Sequence, residues 1–217
     1  MAAPAPLYES DGLRVVKLSA LGPYSNNAFI LIDKATSQSA IIDAVPEMDQ
    51  VLAAAAGTKI SMVLFTHSHP DHIHSFDALR EKVAAPFYMH PDEPWGDHSR
   101  IDVALQGGDS IELGDTKLQV IHTPGHTPGG LCYYHAPYCV VGDTLFPGGP
   151  GHSTSNENLL TLIGSITEHL HSLPENTIIL NGHGDETTVG ASREEYAYFA
   201  TKEHDADLHG DVLWEQD

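Results

Sequence analysis

The sequence predicts an α/β fold in which β-strands and α-helices form separate layers. Three observations lead to this class. Short apolar and β-branched runs are separated by turn residues, helical segments carry apolar residues at helical spacing, and strands followed by a helix occur in two successive rounds. The chain has 217 residues, 41% of them apolar and 18% charged, which suits one globular domain with a substantial core.

The first round opens with a predicted antiparallel meander. Residues 13–18, 27–32 and 39–44 are short apolar segments, and turn residues at Gly22-Pro23 and at 34–37 separate them. Glycine and proline mark such turns because one allows a positive φ and the other fixes φ. Three neighbouring strands are therefore expected near the amino terminus.

A helix, a buried strand and a second helix complete the first round. Pro46 is a favoured first residue of a helix and Gly57 a favoured stop, so a helix is predicted between them. The apolar run Ile60–Phe65 is the buried strand. Apolar spacing predicts the second helix over residues 76–83, and a short strand is expected at 86–89.

The second round contains two hairpins, a long helix, a buried strand and a closing helix. The hairpins are predicted at residues 109–121 and 131–141, the helix from about Glu157 to Leu173 and the strand at residues 177–180. Ser192 is predicted to cap the closing helix, which runs to about Glu203. The tail Asp205–Asp217 is polar and is expected to be peripheral.

Composition excludes two classes of partner. The 30 acidic and 10 basic side chains give a net charge of -20, which would repel a nucleic-acid backbone. The longest apolar runs are far shorter than the ~20 residues that a spanning helix needs, so no membrane partner is expected. Residues Met1–Pro6 lack a basic region and an apolar segment, so no signal peptide is predicted and a cytoplasmic location is expected.

The two cysteines, Cys132 and Cys139, flank the tip of the second predicted hairpin. A disulfide between them is geometrically possible. In a cytoplasmic chain two buried, reduced thiols are the favoured interpretation.

Four potential metal ligands lie within six consecutive residues after the strand Ile60–Phe65. They are His67, His69, Asp71 and His72. Imidazole and carboxylate groups are the ligands that divalent zinc, iron and manganese accept. A buried core explains a single histidine more easily than four such residues at one strand end.

Three further candidates follow later apolar strands in loops marked by glycine or proline. They are His126, Asp143 and His183. Each alone is explained by an ordinary turn, loop or helix-cap role. Because strand ends in layered α/β proteins converge on one edge, the three together with the first cluster predict a single metal site.

These motifs resemble those of the metallo-β-lactamase superfamily, and within it the glyoxalase-II-like hydrolases. The motif H-x-H-x-D-H stands at residues 67–72, and the later family motifs match residues 123–129, 142–146 and 181–184. The resemblance covers roughly residues 13–200. It implies an αββα sandwich, with two mixed β-sheets face to face, helices outside and a metal site along one edge.

The resemblance implies two divalent metal ions, with zinc expected and iron or manganese as alternatives. The groups are His67, His69 and His126 for the first ion, Asp71, His72 and His183 for the second, and Asp143 as the bridge. Two ions, two carboxylates and a bridging hydroxide would leave the site with a small positive charge, which suits attack on a carbonyl group. Asp71 is expected to be the catalytic residue, because it would also orient the hydroxide.

The resemblance implies a binuclear hydrolase that cleaves a thioester, an ester or a lactone of small-molecule size. Two departures from the family pattern affect the substrate: His74 stands where small residues are usual, and His152 stands where an arginine is common. Only 34 residues follow His183, where full-length glyoxalase II has a glutathione-binding domain, so one domain spanning 1–217 is expected. Family habit makes a homodimer a possible assembly.

Other functions remain alternatives. A persulfide-dioxygenase-like enzyme would hold one iron at His67, His126 and Asp143. A β-lactamase is disfavoured because those enzymes usually have cysteine or serine where Asp143 stands, and the acidic composition disfavours a phosphodiesterase acting on nucleic acid. A non-catalytic metal-binding module is disfavoured because all seven ligand positions are intact.

Overall fold

Two mixed β-sheets lie face to face in the computed structural model, which describes residues 8–214. The residues Met1–Pro6, on which the signal-peptide prediction depends, lie outside this range. Seven strands form the first sheet in chain order: β1 (Tyr8–Glu9), β2 (Leu13–Leu21), β3 (Asn26–Asp33), β4 (Gln38–Ile42), β5 (Lys59–Leu64), β6 (Phe87–Met89) and β7 (Val103–Ala104). Neighbours from β1 to β4 are antiparallel, as the predicted meander requires, and those from β4 to β7 are parallel.

The second half of the chain builds the second sheet. The strands of this half are β8 (Ser110–Leu113), β9 (Thr116–His122), β10 (Leu131–His135), β11 (Tyr138–Gly142), β12 (Leu145–Phe146), β13 (Gly149–Pro150), β14 (Ile178–Asn181) and β15 (Thr187–Thr188). Six of them pair in the order β15-β14-β11-β10-β9-β8, and β12 and β13 form a separate ribbon. Only β11 and β14 pair in parallel within this sheet.

Within residues 8–214, four α-helices cover the outer faces of the sheets. They are α1 (Met48–Ala54), α2 (Phe76–Lys82), α3 (Asn156–Ser165) and α4 (Val189–Phe199). The single helix predicted from Glu157 to Leu173 is divided in the structure into α3 and a π-helical turn at Ile166–Leu170. No helix within residues 8–214 is long and apolar enough to cross a membrane.

The period-two pattern of the strands explains how one chain fills three apolar layers. In β3, Phe29 and Leu31 point into the cluster between the sheets, whereas Ile30 and Ile32 belong to the cluster under α1 and α2. Alternate residues of a strand face opposite sides of a sheet, so both faces of β3 are covered. A third cluster lies between the second sheet and the helices of the second half. These layers form the αββα sandwich.

Two details of the carboxyl-terminal part differ from the sequence predictions. The cap of α4 is Thr188, whose hydroxyl accepts a hydrogen bond from the amide of Ala191, so the helix begins before Ser192. Ser192 is buried inside the helix, where its hydroxyl lies 2.9 Å from Nε2 of His171. The tail is not peripheral throughout, because the indole of Trp214 is fully buried in the third cluster.

The two cysteines are buried free thiols, which agrees with the sequence prediction. Cys132 on β10 lies beside the hydroxyl of Thr123, at 3.2 Å, and both thiols belong to the apolar cluster outside the second sheet. They pack as small apolar side chains in this cluster.

Candidate metal centre

The loops that follow the parallel strand pairs meet at one edge of the sandwich. β4 and β5 pair through Ile42 and Leu64 at their carboxyl ends, and β11 and β14 pair through Gly142 and Asn181. Parallel neighbours deliver their following residues to the same side of a sheet, so the loops after these strands share an edge. The seven predicted ligands lie there.

Among the described residues, three overlapping groups of side chains could each hold a metal ion. The groups are His67, His69 and His126; His67, His72 and Asp143; and Asp71, His72 and His183. Within each group the ligand atoms lie within 4.8 Å of one another. The structure thus brings together all seven residues that the sequence singled out.

The first group consists of three imidazoles. Nδ1 of His69 lies 2.9 Å from Nε2 of His126, and the ring of His67 lies edge-on to the ring of His69. Nε2 of His67 is buried and has no hydrogen-bond partner. Three ring nitrogens therefore point into one small space.

The second group, which consists of Asp71, His72 and His183, combines two imidazoles with a carboxylate. The remaining set, His67, His72 and Asp143, connects this group to the first. Nε2 of His72 and Nε2 of His183 lie 3.3 Å apart. Oδ2 of Asp71 lies 3.3 Å from Nε2 of His183 and 3.5 Å from Nε2 of His72. The side chain of His72 is fully buried, whereas a quarter of His183 is exposed, so the group opens to solvent on the His183 side.

Asp143 lies between the two groups. Its Oδ1 atom is 3.4 Å from Nε2 of His72, and its Oδ2 atom is 3.4 Å from Nε2 of His183 and 3.8 Å from Nε2 of His126. One carboxylate therefore contacts members of both groups. This is the position that the family resemblance assigned to the bridging ligand.

Two features show that these residues fit divalent metal ions. Nε2 of His67 and Oδ1 of Asp143 are buried without a hydrogen-bond partner, and buried polar atoms are rarely left so. The donor set is also of the right chemistry, because five imidazoles and two carboxylates offer lone pairs to a common space. Gly182 preserves this space, since a Cβ atom there would lie 2.2 Å from Oδ1 of Asp143.

Burial keeps the first group neutral. It lowers the pKa of His67 well below its usual range, with the neighbouring His72 adding to the effect. Burial lowers the pKa of His126 to about 4 and also lowers the pKa of His69. Neutral imidazole is the form that binds a metal ion, so this group is ready to bind at neutral pH.

The carboxylates of Asp71 and Asp143 are held ionised. Burial acts to raise the pKa of Asp71, but its hydrogen bond with His183 and the charge of His72 outweigh burial and lower that pKa. The pKa of Asp143 is likewise held well below its usual range, chiefly by the charge of His72 acting against burial. Burial opposes the charge on His183, but contacts with Asp143 and Asp71 raise its pKa to about 9.

Asp43 is a buried residue of the site that the sequence analysis did not single out. Its Oδ2 atom lies 2.8 Å from Nδ1 of His72 and accepts the hydroxyl hydrogen of Thr66, and its Oδ1 atom accepts the Thr66 amide. The Thr66 hydroxyl also lies 3.0 Å from Nδ1 of His67. The sequence does contain a signal for Asp43, because this carboxylate directly follows the apolar strand residues Ile41-Ile42. Asp143 was predicted from the same kind of position after a strand.

Two more buried polar residues hold the ligand loops. Glu93 accepts hydrogen bonds from the loop that carries His67 and His69 and from the loop that carries His126. Asn26 donates to Oδ2 of Asp71 at 2.7 Å. Neither stands in a recognisable motif, so sequence reasoning had no signal for them.

Three other histidines have roles outside the ligand set. His74 is exposed and lies 3.4 Å from the hydroxyl of Ser75, outside the cluster. The backbone carbonyl of His152 faces Nδ1 of His126 at 2.8 Å, while its side chain pairs with Asp211. Nε2 of His122 lies 2.9 Å from the carbonyl oxygen of Pro128, so His122 contacts the loop of His126.

Comparison with known proteins identifies relatives along most of the chain. An uncharacterized protein of Aquifex aeolicus is 34% identical over 198 residues, which cover 82% of this chain and 94% of the relative. A hydroxyacylglutathione hydrolase of Photorhabdus laumondii is 34% identical over 160 residues, which cover 73% of this chain and 58% of that enzyme.

Solved structures share the fold. ETHE1 from Myxococcus xanthus superposes with a TM-score of 0.76 at 27% identity, over 87% of this chain and 86% of that one. BLEG-1, a B3 metallo-beta-lactamase, superposes with a TM-score of 0.72 at 28% identity, over 82% and 95%. TTHA1623 in a di-iron-bound form gives a TM-score of 0.68 at 27% identity, over 81% and 96%.

The profile of the metallo-beta-lactamase superfamily matches residues 21–183, a range that includes all seven candidate ligands. The match spans most of the chain and agrees with the αββα sandwich. The chain therefore belongs to the metallo-β-lactamase superfamily.

Proposed function

We propose that this protein is a hydrolase that uses two divalent metal ions to cleave a thioester, an ester or a lactone of small-molecule size. The observation that carries the proposal is the position of Asp143, whose carboxylate contacts His126 from one ligand group and both His72 and His183 from the other. Two three-residue groups joined by one carboxylate provide ligands for two ions rather than one.

The similarity to a hydroxyacylglutathione hydrolase supports this class of reaction. Overall, water adds its oxygen to the carbonyl carbon, the carbon–sulfur or carbon–oxygen bond breaks, and the products are a carboxylic acid and a thiol or alcohol. Two bound divalent ions would lower the pKa of water and polarise the carbonyl oxygen. The residues of the chain have to hold the ions and orient the attacking water.

Asp71 is the residue we assign to orientation of the attacking water. Its Oδ2 atom accepts a hydrogen bond from Asn26 and lies beside His183 at the solvent-facing side of the site. An ionised carboxylate in this position accepts a hydrogen bond from water and directs the oxygen lone pair outward. The lowered pKa of Asp71 keeps it in that form.

A cavity of about 490 Å³ adjoins the first ligand group and is our candidate for the substrate subsite. It opens beside His69 and His126 and is walled by Pro94, Thr154 and Asn158, among other residues. The described residues that line it include no lysine or arginine. A cavity without a fixed cation favours an uncharged substituent of the substrate over a carboxylate or phosphate.

Zinc is the proposed metal because zinc accepts imidazole and carboxylate ligands and supports hydrolysis without a redox change. Iron is the alternative, and the similarity to TTHA1623 in a di-iron-bound form supports keeping it. Elemental analysis of the purified protein would identify the metal. Two ions per chain are expected.

The test of the reaction is a screen of neutral and anionic thioesters, lactones, aryl esters, β-lactams and phosphodiesters with the metal-loaded protein. Hydrolysis of an acyl substrate that is lost in Asp71→Ala and His69→Ala variants would support the proposal. Turnover that survives both substitutions would contradict it.

A second candidate is a persulfide-dioxygenase-like enzyme with a single iron. It rests on the motif resemblance, which assigns a single iron to His67, His126 and Asp143, and on the distance of 3.8 Å between Nε2 of His126 and Oδ2 of Asp143. One iron per chain, together with oxygen consumption on a persulfide, would establish this alternative over the hydrolase.

A further inference from the structure

The buried carboxylate of Glu93 joins two loops that come from different sheets. With 2% of its surface exposed, it accepts three hydrogen bonds. Oε2 accepts the amide hydrogen of Ser68 at 2.7 Å, and Oε1 accepts from the Thr127 hydroxyl at 2.5 Å and the Gly129 amide at 3.0 Å. A carboxylate with three donors is a strong local restraint, because losing one leaves a buried group unpaired.

All three partners of Glu93 are neighbours of the first ligand group. Ser68 lies between His67 and His69, and Thr127 follows His126. The approach is close, since a Cβ atom on Gly129 would lie only 2.7 Å from the Glu93 amide nitrogen. Glu93 therefore fixes the distance between the two loops that bring Nδ1 of His69 to Nε2 of His126.

Asn26 has the corresponding position at the second ligand group. It is fully buried, and its side-chain amide donates to Oδ2 of Asp71 at 2.7 Å. Its backbone forms an isolated antiparallel bridge with His183. Asn26 thus contacts two of the three members of the second group.

We propose that Glu93 and Asn26 are separate positioning residues, Glu93 for the first half of the metal centre and Asn26 for the second, so that each half can be weakened alone. The inference rests on the two-metal site proposed above. Positioning residues behind metal ligands commonly contribute about 10- to 100-fold to metal affinity. Glu93→Gln should therefore weaken one ion by this factor, because the NH2 group that replaces one carboxylate oxygen cannot accept a hydrogen bond, so one of the two loops loses its acceptor.

The experiment is a titration of the metal-free protein with Co²⁺, followed by visible absorption and by competition with a chelator. His69→Ala and His183→Ala proteins serve as spectral references for loss of the first and the second ion. Glu93→Gln should match the His69→Ala reference, and Asn26→Ala should match the His183→Ala reference. Thr127→Val, which removes one donor to Glu93, should give a weaker form of the Glu93→Gln result and decides the matter if Glu93→Gln does not fold.

Asp33→Asn is the matched control. Asp33 is also buried and also accepts three hydrogen bonds, from the amide and hydroxyl of Thr36 and from the Thr116 hydroxyl, but it contacts none of the seven candidate ligands. This variant should lose stability yet bind two ions as before. If Glu93→Gln or Thr127→Val weakens both ions equally or neither, the inference is overturned. A wild-type protein that binds only one Co²⁺ would instead contradict the two-metal proposal.

Discussion

Oδ2 of Asp43 lies 2.8 Å from Nδ1 of His72, and this contact fixes which nitrogen of His72 faces the other ligands. Because the Asp43 carboxylate is hydrogen-bonded to Nδ1, Nε2 of His72 is directed toward Asp71, Asp143 and His183. A carboxylate behind a histidine sets the tautomer and orientation of the ring and makes it a better ligand.

Asp43→Asn should weaken metal binding at the second group by about 10- to 100-fold. Asn is nearly isosteric with Asp and tolerates the left-handed backbone at this position, where φ is 61°. The change therefore removes an acceptor from His72 or Thr66 with little added strain. Chelator competition on the purified variant measures the affinity, and an unchanged value would show that His72 is oriented without Asp43.

The sequence predicted which side chains meet at the candidate centre better than it predicted the residues behind them. His67 to His72 form a compact motif, and His126, Asp143 and His183 each follow an apolar strand, so the pattern predicted that these residues share one edge. The reason is physical: these side chains lie in loops that directly follow strands. Both the apolar strand and the loop residues after it can be recognised in the sequence alone. The two-sheet architecture followed from the family resemblance rather than from periodicity.

Glu93 could not have been predicted, because its three partners are 25 to 36 positions away in the chain and belong to loops of both sheets. The buried tail failed for a similar reason. Trp214 is a single apolar residue in a polar segment, and its burial depends on the helices of the second half, which no local pattern reveals. Contacts between a single residue and partners distant in the chain cannot be predicted from one sequence.

Gly182→Ala should reduce metal binding and activity together. A Cβ atom at this position would lie 2.2 Å from Oδ1 of Asp143 and 2.7 Å from Cε1 of His72, so one of these ligands has to move. The φ angle of Gly182 is outside the left-handed region, so the effect would come from the ligands and not from backbone strain. Metal content after dialysis measures it.

Gly164→Ala is the control for this substitution. Gly164 lies in α3, and a Cβ atom there would meet nothing within 4 Å. Alanine should raise helix stability by up to about 1 kcal/mol and leave metal content unchanged. Equal metal loss in both variants would mean that Gly182 is not required for the space beside Asp143.

His171 should make stability fall as the pH is lowered. Burial, with the nearby Arg193 adding to it, lowers the pKa of His171 to about 4. The unfolded chain then binds more protons than the folded one between pH 6.5 and 4, so this contribution is present above the unfolded pKa and is lost through that window. Its size between pH 7.5 and 5 is about 2 kcal/mol by linkage.

The measurement is urea unfolding of wild type and His171→Gln at both pH values. Taking the difference between the two proteins removes the pH dependence that the metal ligands contribute to each. Gln can still hydrogen-bond with Ser192, which lies 2.9 Å from Nε2 of His171, so the variant should fold. The wild type should lose more stability than the variant at pH 5. If the free energy of unfolding fell equally in both proteins between pH 7.5 and 5, His171 would not be a source of the pH dependence.

Asn158→Lys tests whether the cavity beside His69 and His126 selects uncharged substituents. The cavity includes Asn158 in its wall and has no cationic residue among the described residues that line it, so a lysine there would supply the missing positive charge. The ratio of kcat/KM for a carboxylate-bearing thioester to that for its neutral analogue should rise by about tenfold, equivalent to about 1.4 kcal/mol.

Leu160→Lys is the matched control, because Leu160 is on the same helix, is 61% exposed and does not line the cavity. Both variants add the same charge to a chain of net charge -20. A rise in both would reflect long-range attraction, and a rise in neither would place the substrate elsewhere at the metal centre.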